Sequence, residues 1–212
     1  MSDPVDRLSG MRTQLRSAAV LLAASLALTG CSSAIPAPAG SDKPSASASE
    51  SSGSGASELS ATPSTGPVIT GSAYTFNAPE GWSVPTQEIP NFTPDSIVAD
   101  VADADGFADN MNVVKSPAGV VTADQVESAG VAELKAAGAS NVTVNPRQTI
   151  AGSEAAHLSA EMSGGGVTAA MEQYYLSNDE ATFVVTFSFN STVAQADRVA
   201  LAESVLASWK WS

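Results

Sequence analysis

One cysteine, one histidine and a crowd of aspartates are the residues of this chain that could do chemistry. Cys31 is the only thiol and His157 the only imidazole among 212 residues. Imidazole is the one common side chain that titrates near neutral pH, so a general base or a Ser-His-Asp triad would have to use His157. No GxSxG or HExxH motif accompanies it, and a zinc centre would lack a second histidine. Within residues 154–162, His157 shares parity with Ala155, Ser159 and Glu161, opposite Leu158 and Ala160. That predicts a half-exposed position on the polar face of a strand. The expectation is no catalytic residue and no cofactor.

Asp100, Asp103, Asp105 and Asp109 crowd one short stretch. Asp103-x-Asp105-Gly106 brushes against a calcium loop, where alternate carboxylates and a glycine turn encircle a hard cation. Val101 stands where the first ligand belongs and Asn112 where the bidentate glutamate belongs. Asp103, Asp105 and Asp109 are therefore a weak calcium candidate, and a solvated acidic turn is the plainer reading. Trp82, Phe107, Tyr174 and Tyr175, with Phe92 and Trp211, offer aromatic surface for a ligand or partner, although aromatics on alternating strands more often pack a core. Tyr174 and Tyr175 are adjacent and point to opposite faces of a strand. Both can be core only if both faces of the sheet are covered.

Cys31 has another use. Residues 18–28 are nearly unbroken Ala, Val and Leu, eleven residues interrupted only by Ser25. That is short of the roughly 20 needed to span a bilayer core. Basic residues, a short apolar core and small residues are the order of a secretory signal. Arg12 and Arg16 flank the core while Asp3 and Asp6 lie upstream, so Met11 is a better start than Met1 and residues 1–30 read as the leader. Leu28-Thr29-Gly30-Cys31 resembles the bacterial lipobox, which implies cleavage before Cys31 and acylation of its sulfur and new amino group. Each buried CH₂ contributes about 0.8 kcal/mol, so two acyl chains anchor where one does not. The expected place is the outer face of the cytoplasmic membrane. With Cys31 modified, no disulfide, CxxC site or thiol nucleophile remains.

Residues 31–70 shift to Ser, Ala, Gly, Pro and Thr, a composition that buries too little to offset backbone ordering. A disordered tether is expected, with an average reach of about 30–35 Å and with Ser/Thr/Pro content that permits O-glycosylation. Three of nine basic and two of 22 acidic residues fall in the leader, so the mature chain carries 6 and 20, a formal charge of −14. That balance repels nucleic acid and anionic lipid, and no basic patch reverses it. Residues 71–212 suffice for one single-core domain.

The elements that must position these residues are legible from periodicity. Thr122-Ala123-Asp124-Gln125 is a capping-box pattern, followed by Val126, Gly130, Leu134 and Ala137 at helical spacing and closed by Gly138. Thr192-Val193-Ala194-Gln195 repeats the start signal, with Val199, Ala202, Leu206 and Trp209 as an apolar face. Residues 142–190 alternate with period two, broken at Ala151-Gly152-Ser153, Gly164-Gly165-Gly166 and Ser177-Asn178-Asp179. They predict a four-stranded antiparallel meander. Shorter strands are expected at 74–77, 96–101 and 111–115. The fold class is α+β, an antiparallel sheet flanked by helices and preceded by a tether.

Tyr74-Thr75-Phe76-Asn77-Ala78-Pro79-Glu80-Gly81-Trp82 resembles the opening strand and Pro-x-Gly-Trp of actinobacterial LpqN-type lipoproteins. Phe107-x-x-Asn110-x-x-Val113 is similar to their strand entry, and Ser208-Trp209-Lys210-Trp211 fits their last helix. The resemblance spans residues 74–211 and implies a PsbP/Mog-like α/β/α sandwich. It also implies a binding or assembly factor rather than an enzyme, and it brings no catalytic motif. The expectation is an envelope-anchored head that engages another extracytoplasmic protein. The alternative is a carrier of an apolar or glycolipid ligand between helix and sheet, and a hydrolase is a weak third.

Overall fold

A computed structural model describes residues 55–87 and 89–212. The leader, Cys31 and the tether through residue 54 lie outside the described residues. The predicted meander is present as β6 (Ser140–Ile150), β7 (Ser153–Gly164), β8 (Val167–Ser177) and β9 (Thr182–Asn190), each strand antiparallel to the next. Two of its hairpins turn on pairs of residues with positive φ: Ala151 and Gly152 at 48° and 83°, Gly165 and Gly166 at 61° and 84°. Such pairs match the twist of the flanking strands. At the third turn, Asn178 Oδ1 accepts the N–H groups of Glu180 and Ala181 at 3.0 and 2.9 Å.

β5 (Asn110–Lys115) and β4 (Ser96–Ala99) extend the sheet beyond β9, and β1 (Ser57–Glu58) adds in parallel to the outer edge of β6. The order across seven strands is β1-β6-β7-β8-β9-β5-β4. A second sheet has three strands, β10 (Lys210–Trp211), β3 (Tyr74–Asn77) and β2 (Val68–Thr70), in the order β10-β3-β2.

The helical stretch before the meander is α1 (Ala123–Gln125), a π-turn (Val126–Gly130) and α2 (Val131–Ala136). Its capping box forms as predicted between Thr122 and Gln125. Gly130 faces the sheet, where an added Cβ would make ordinary contact with Leu158 Cδ1 at 3.4 Å and the Tyr175 hydroxyl at 3.6 Å. The second predicted capping box does not form. Asn190 Oδ1 takes both the N–H and the hydroxyl of Thr192 at 3.0 Å, so that side chain serves a turn instead. The last helix, α3 (Gln195–Leu206), starts after an extended Ala194 with no side-chain cap.

Both faces of the large sheet are covered, as the adjacent tyrosines require. Tyr174 belongs to a core that includes Phe76, Phe183, Phe187, Leu206 and Trp209, shared with α3 and the small sheet. Tyr175 belongs to a second core with Val126, Leu134, Leu158 and Met162, under α1 and α2. The fold is therefore an antiparallel α+β sandwich with helices on either side. The predicted apolar face of α3 holds at Ala202, Leu206 and the following Trp209, while Val199 is only half-buried.

The boundary between tether and head lies earlier than composition suggests. Residues 55–70 pack on the head: β1 pairs with β6, Ser64 N–H donates to Ser204 O at 2.8 Å, and Leu59 and Ile69 lean on the first core. Low apolar content leaves a segment without a core of its own. It does not prevent the segment from borrowing hydrogen-bond partners that a folded domain already holds in place.

Candidate functional site

His157 is not half-exposed. It is 3% exposed, and its ring stacks on Tyr174 with centroids 4.0 Å apart. The predicted parity holds, but the face that His157 shares with Ser159 is roofed by the N-terminal half of α3. Gln195 Nε2 reaches Ser159 Oγ at 3.3 Å, and Arg198 reaches across to β8. Cover from a helix distant in sequence turns a polar strand face into interior.

The residue that organises this interior is Glu172 on β8, with no solvent exposure. Its Oε2 meets His157 Nε2 at 2.9 Å, and its Oε1 accepts Arg198 Nε at 3.0 Å. Arg198 also donates to Val193 O at 2.6 Å. A neutral His157 in this geometry carries its proton on Nε2 and aims it at the carboxylate. Beside it, Ser159 Oγ accepts from Asn145 Nδ2 as well as from Gln195. A carboxylate that orients an imidazole is one half of a catalytic triad. Here the nearby hydroxyl is engaged by two amides. What the cluster does in this geometry is fasten α3 to β7 and β8 with paired, desolvated charges.

Sequence reasoning missed Glu172 and Arg198. A signal existed: Glu172 has the same parity as Tyr174 and Leu176, so a carboxylate falls where the pattern asks for core. Buried carboxylates need cationic or donor partners, and the chain has few cations to choose from. Nothing in the spacing points to Arg198 in particular.

The four aromatics expected to meet a ligand or partner are also interior. Trp82, Phe107, Tyr174 and Tyr175 are all buried, as the core reading of these aromatics has it. Burial pushes the Tyr174 hydroxyl well above its usual titration range, and the charges of Glu172 and Glu203 push the same way. The Tyr175 hydroxyl donates to Gln173 Oε1 at 2.7 Å, and Gln173 Nε2 donates to Thr186 Oγ1 at 2.9 Å. A crevice of about 10 Å³ lies against Tyr175, lined also by Val121, Val126 and Gly130. That is about the space of one water.

The acidic loop is spoken for by the backbone. Asp100 Oδ1 accepts from Ala102 N–H, Asp103 Oδ1 from Asp105 N–H, and Asp105 Oδ1 from Phe107 N–H, at 3.0 to 3.1 Å. Asp109 Oδ1 accepts Asn190 N–H at 2.8 Å and ties this loop to the turn before α3. Asp103 and Asp105 therefore each cap a local turn, while Asp109 makes a long-range tie. Among the described residues no three His, Cys, Asp or Glu side chains converge as a metal cluster. Desolvation raises the Asp109 carboxyl to about 6; the Asn190 N–H opposes the rise, and Asp103, Asp105 and Asp100 add to it. On the opposite face, Arg147 pairs with Asp124, with Glu127 at 2.6 Å and with Glu154 at 3.3 Å, joining β6 to the α1 stretch.

The class these observations define is an antiparallel α+β sandwich closed by a C-terminal helix. No family model matches the chain, and no curated protein matches it either. Solved structures do resemble it. A crystal structure of LpqN, described as involved in cell envelope biogenesis of Mycobacterium tuberculosis, shares 14% identity over 69% of this chain and 90% of that one, with a TM-score of 0.47. The solution structure of cyanobacterial PsbP (CyanoP) from Synechocystis sp. PCC 6803 shares 15% over 69% and 92%, with a TM-score of 0.48. A protein of Bacteroides thetaiotaomicron VPI-5482 shares 10% over 66% of this chain, which spans 45% of its length, at a TM-score of 0.41. These likenesses carry nothing about the family or activity of this chain. Among the described residues no helix is long and apolar enough to cross a membrane.

Proposed function

We propose that this chain is an envelope lipoprotein, anchored through Cys31, whose head is a non-enzymatic binding or assembly module for another extracytoplasmic protein. One observation carries the reading. The imidazole and the four candidate aromatics are all buried, Trp82, Tyr174 and Tyr175 within the two packed cores, so recognition falls to the outer surface of the head. A carrier of an apolar or glycolipid ligand needs an enclosed volume of several hundred Å³, far above the crevice beside Tyr175. The formal charge of the mature chain, −14, turns the head away from nucleic acid and from anionic headgroups.

In-cell crosslinking followed by mass spectrometry tests partner and place together. The reading expects protein adducts on the head and none on cytoplasmic proteins. Extraction of the purified native protein with organic solvent tests the carrier. A stoichiometric lipid in the extract, with no protein adduct in cells, would replace the binding module by the carrier.

A further inference from the structure

Residues 55–70 are held to the head very unequally at their two ends. At the outer end β1 pairs with only Gln148 and Thr149 of β6, and both of its side chains are exposed. Leu59 adds one partly buried contact. At the inner end Ser64 makes three hydrogen bonds: N–H to Ser204 O at 2.8 Å, Oγ to Ala78 O at 2.7 Å, and its carbonyl accepting Asn77 Nδ2 at 2.8 Å. Ala78 N–H donates to Pro67 O at 2.8 Å. Gly66 lies so close to the Ala78 and Pro79 carbonyls that a Cβ would stand 2.6 Å from Pro79 O. Between the two attachments, Ser60, Thr62 and Pro63 are exposed.

We propose that this strap is a two-stage tether. Residues 57–59 lift off β6 while the clamp from Ser64 to Pro67 stays closed and the head stays folded. Segments open locally in order of the contacts and hydrogen bonds they give up, and the outer attachment gives up far fewer. Lifting it frees residues 55–63, about 30 Å of extended chain, so the head gains reach without losing structure. The role rests on the anchoring reading, because only a hold on the N-terminal side loads the strap. An N-terminal load meets the weak attachment first.

Amide hydrogen exchange on the intact mature chain tests it. Residues 57–59 should exchange at least tenfold faster than Ser64 and Ala78. Leu59→Ser should speed exchange at 57–59 further and leave Ser64, Ala78 and the Tm unchanged. Gly66→Ala should release Ser64 and Ala78 and lower the Tm. Equal exchange at both ends overturns the proposal, and so does loss of protection at Ser64 and Ala78 in Leu59→Ser, since the strap would then open as one unit. The exchange pattern reads the strap and the membrane fractionation of Cys31→Ala reads the anchor, so failure of one is told apart from failure of the other.

Discussion

Glu172 sits between His157 and Arg198 with each carboxylate oxygen given to a different donor, and this defines what single substitutions around it do. Removing one partner of a buried pair leaves the other charge desolvated and alone, a loss of about 3–5 kcal/mol. Glu172→Ala is expected to lose stability in that range by urea unfolding, because Arg198 keeps its charge beneath α3. His157→Gln keeps a donor for the carboxylate and loses chiefly the stack on Tyr174, about 1 kcal/mol. The folded His157→Gln protein should bind its partner as wild type does. A substrate turned over by wild type and not by folded His157→Gln would restore the hydrolase.

Asp109 gives a pH dependence with a definite sign. Its carboxyl is raised to about 6, above the ordinary carboxylate value, so the folded head holds that proton more tightly than the unfolded chain does. The proton-bound form therefore favours folding. This group destabilises the head above pH 6 and ceases to do so below the unfolded value near about 4. Asp109→Asn keeps Oδ1 as acceptor for Asn190 N–H and removes the charge. For a half-exposed group the gain is discounted to about 1 kcal/mol at pH 7.5, vanishing near pH 4. Denaturant midpoints at the two pH values check it, and a loss at pH 7.5 contradicts it.

At the scale of elements, two identical-looking start signals behave differently. Thr122 accepts from Gln125 N–H as a true N-cap, whereas Thr192 is taken by Asn190 and lies outside its helix. Thr122→Ala is expected to cost about 1 kcal/mol. Thr192→Ala should stay within about 0.5 kcal/mol, as exposed substitutions do. Equal losses by thermal unfolding would mean that the second cap forms in solution. The strap yields a boundary test: a head beginning at Gly71 lacks β2 and the Ser64 clamp, and should melt at least about 5 °C below one beginning at Gly55.

For the whole molecule, the outer surface and the N-terminal hold decide function. Cys31→Ala should release the protein from the membrane fraction or leave the precursor uncut. If the variant stays membrane-bound and is cut at the same place, the lipobox reading fails and the head's address with it. Among the described residues Arg147 and Arg198 are paired within the fold, which leaves Lys115, Lys135 and Lys210 as the exposed cations against the acids of the 100–109 loop and the rest of the surface. Association should accordingly weaken with salt if the partner is basic, since screened surface charges lose their pull beyond about 10 Å.

Periodicity determined the meander, because a period of two and turn residues with positive φ are local properties carried by the chain itself. The same holds for the first capping box and for the opposed tyrosines, whose adjacency on one strand is enough to demand cover on both faces of the sheet. Tertiary structure alone decided the surroundings of His157, since Arg198 and Gln195 arrive from a helix more than 35 residues away in sequence. It also decided that residues 55–70 belong to the head, whereas Thr192 turns rather than caps through a local bond to Asn190, two residues before it. Both tertiary outcomes depend on groups brought alongside by the fold: Glu172 beneath α3, and Ser204, Asn77 and Ala78 against Ser64. Local sequence reports which partners a residue can use, and only packing decides which of them come within hydrogen-bonding distance, about 3 Å.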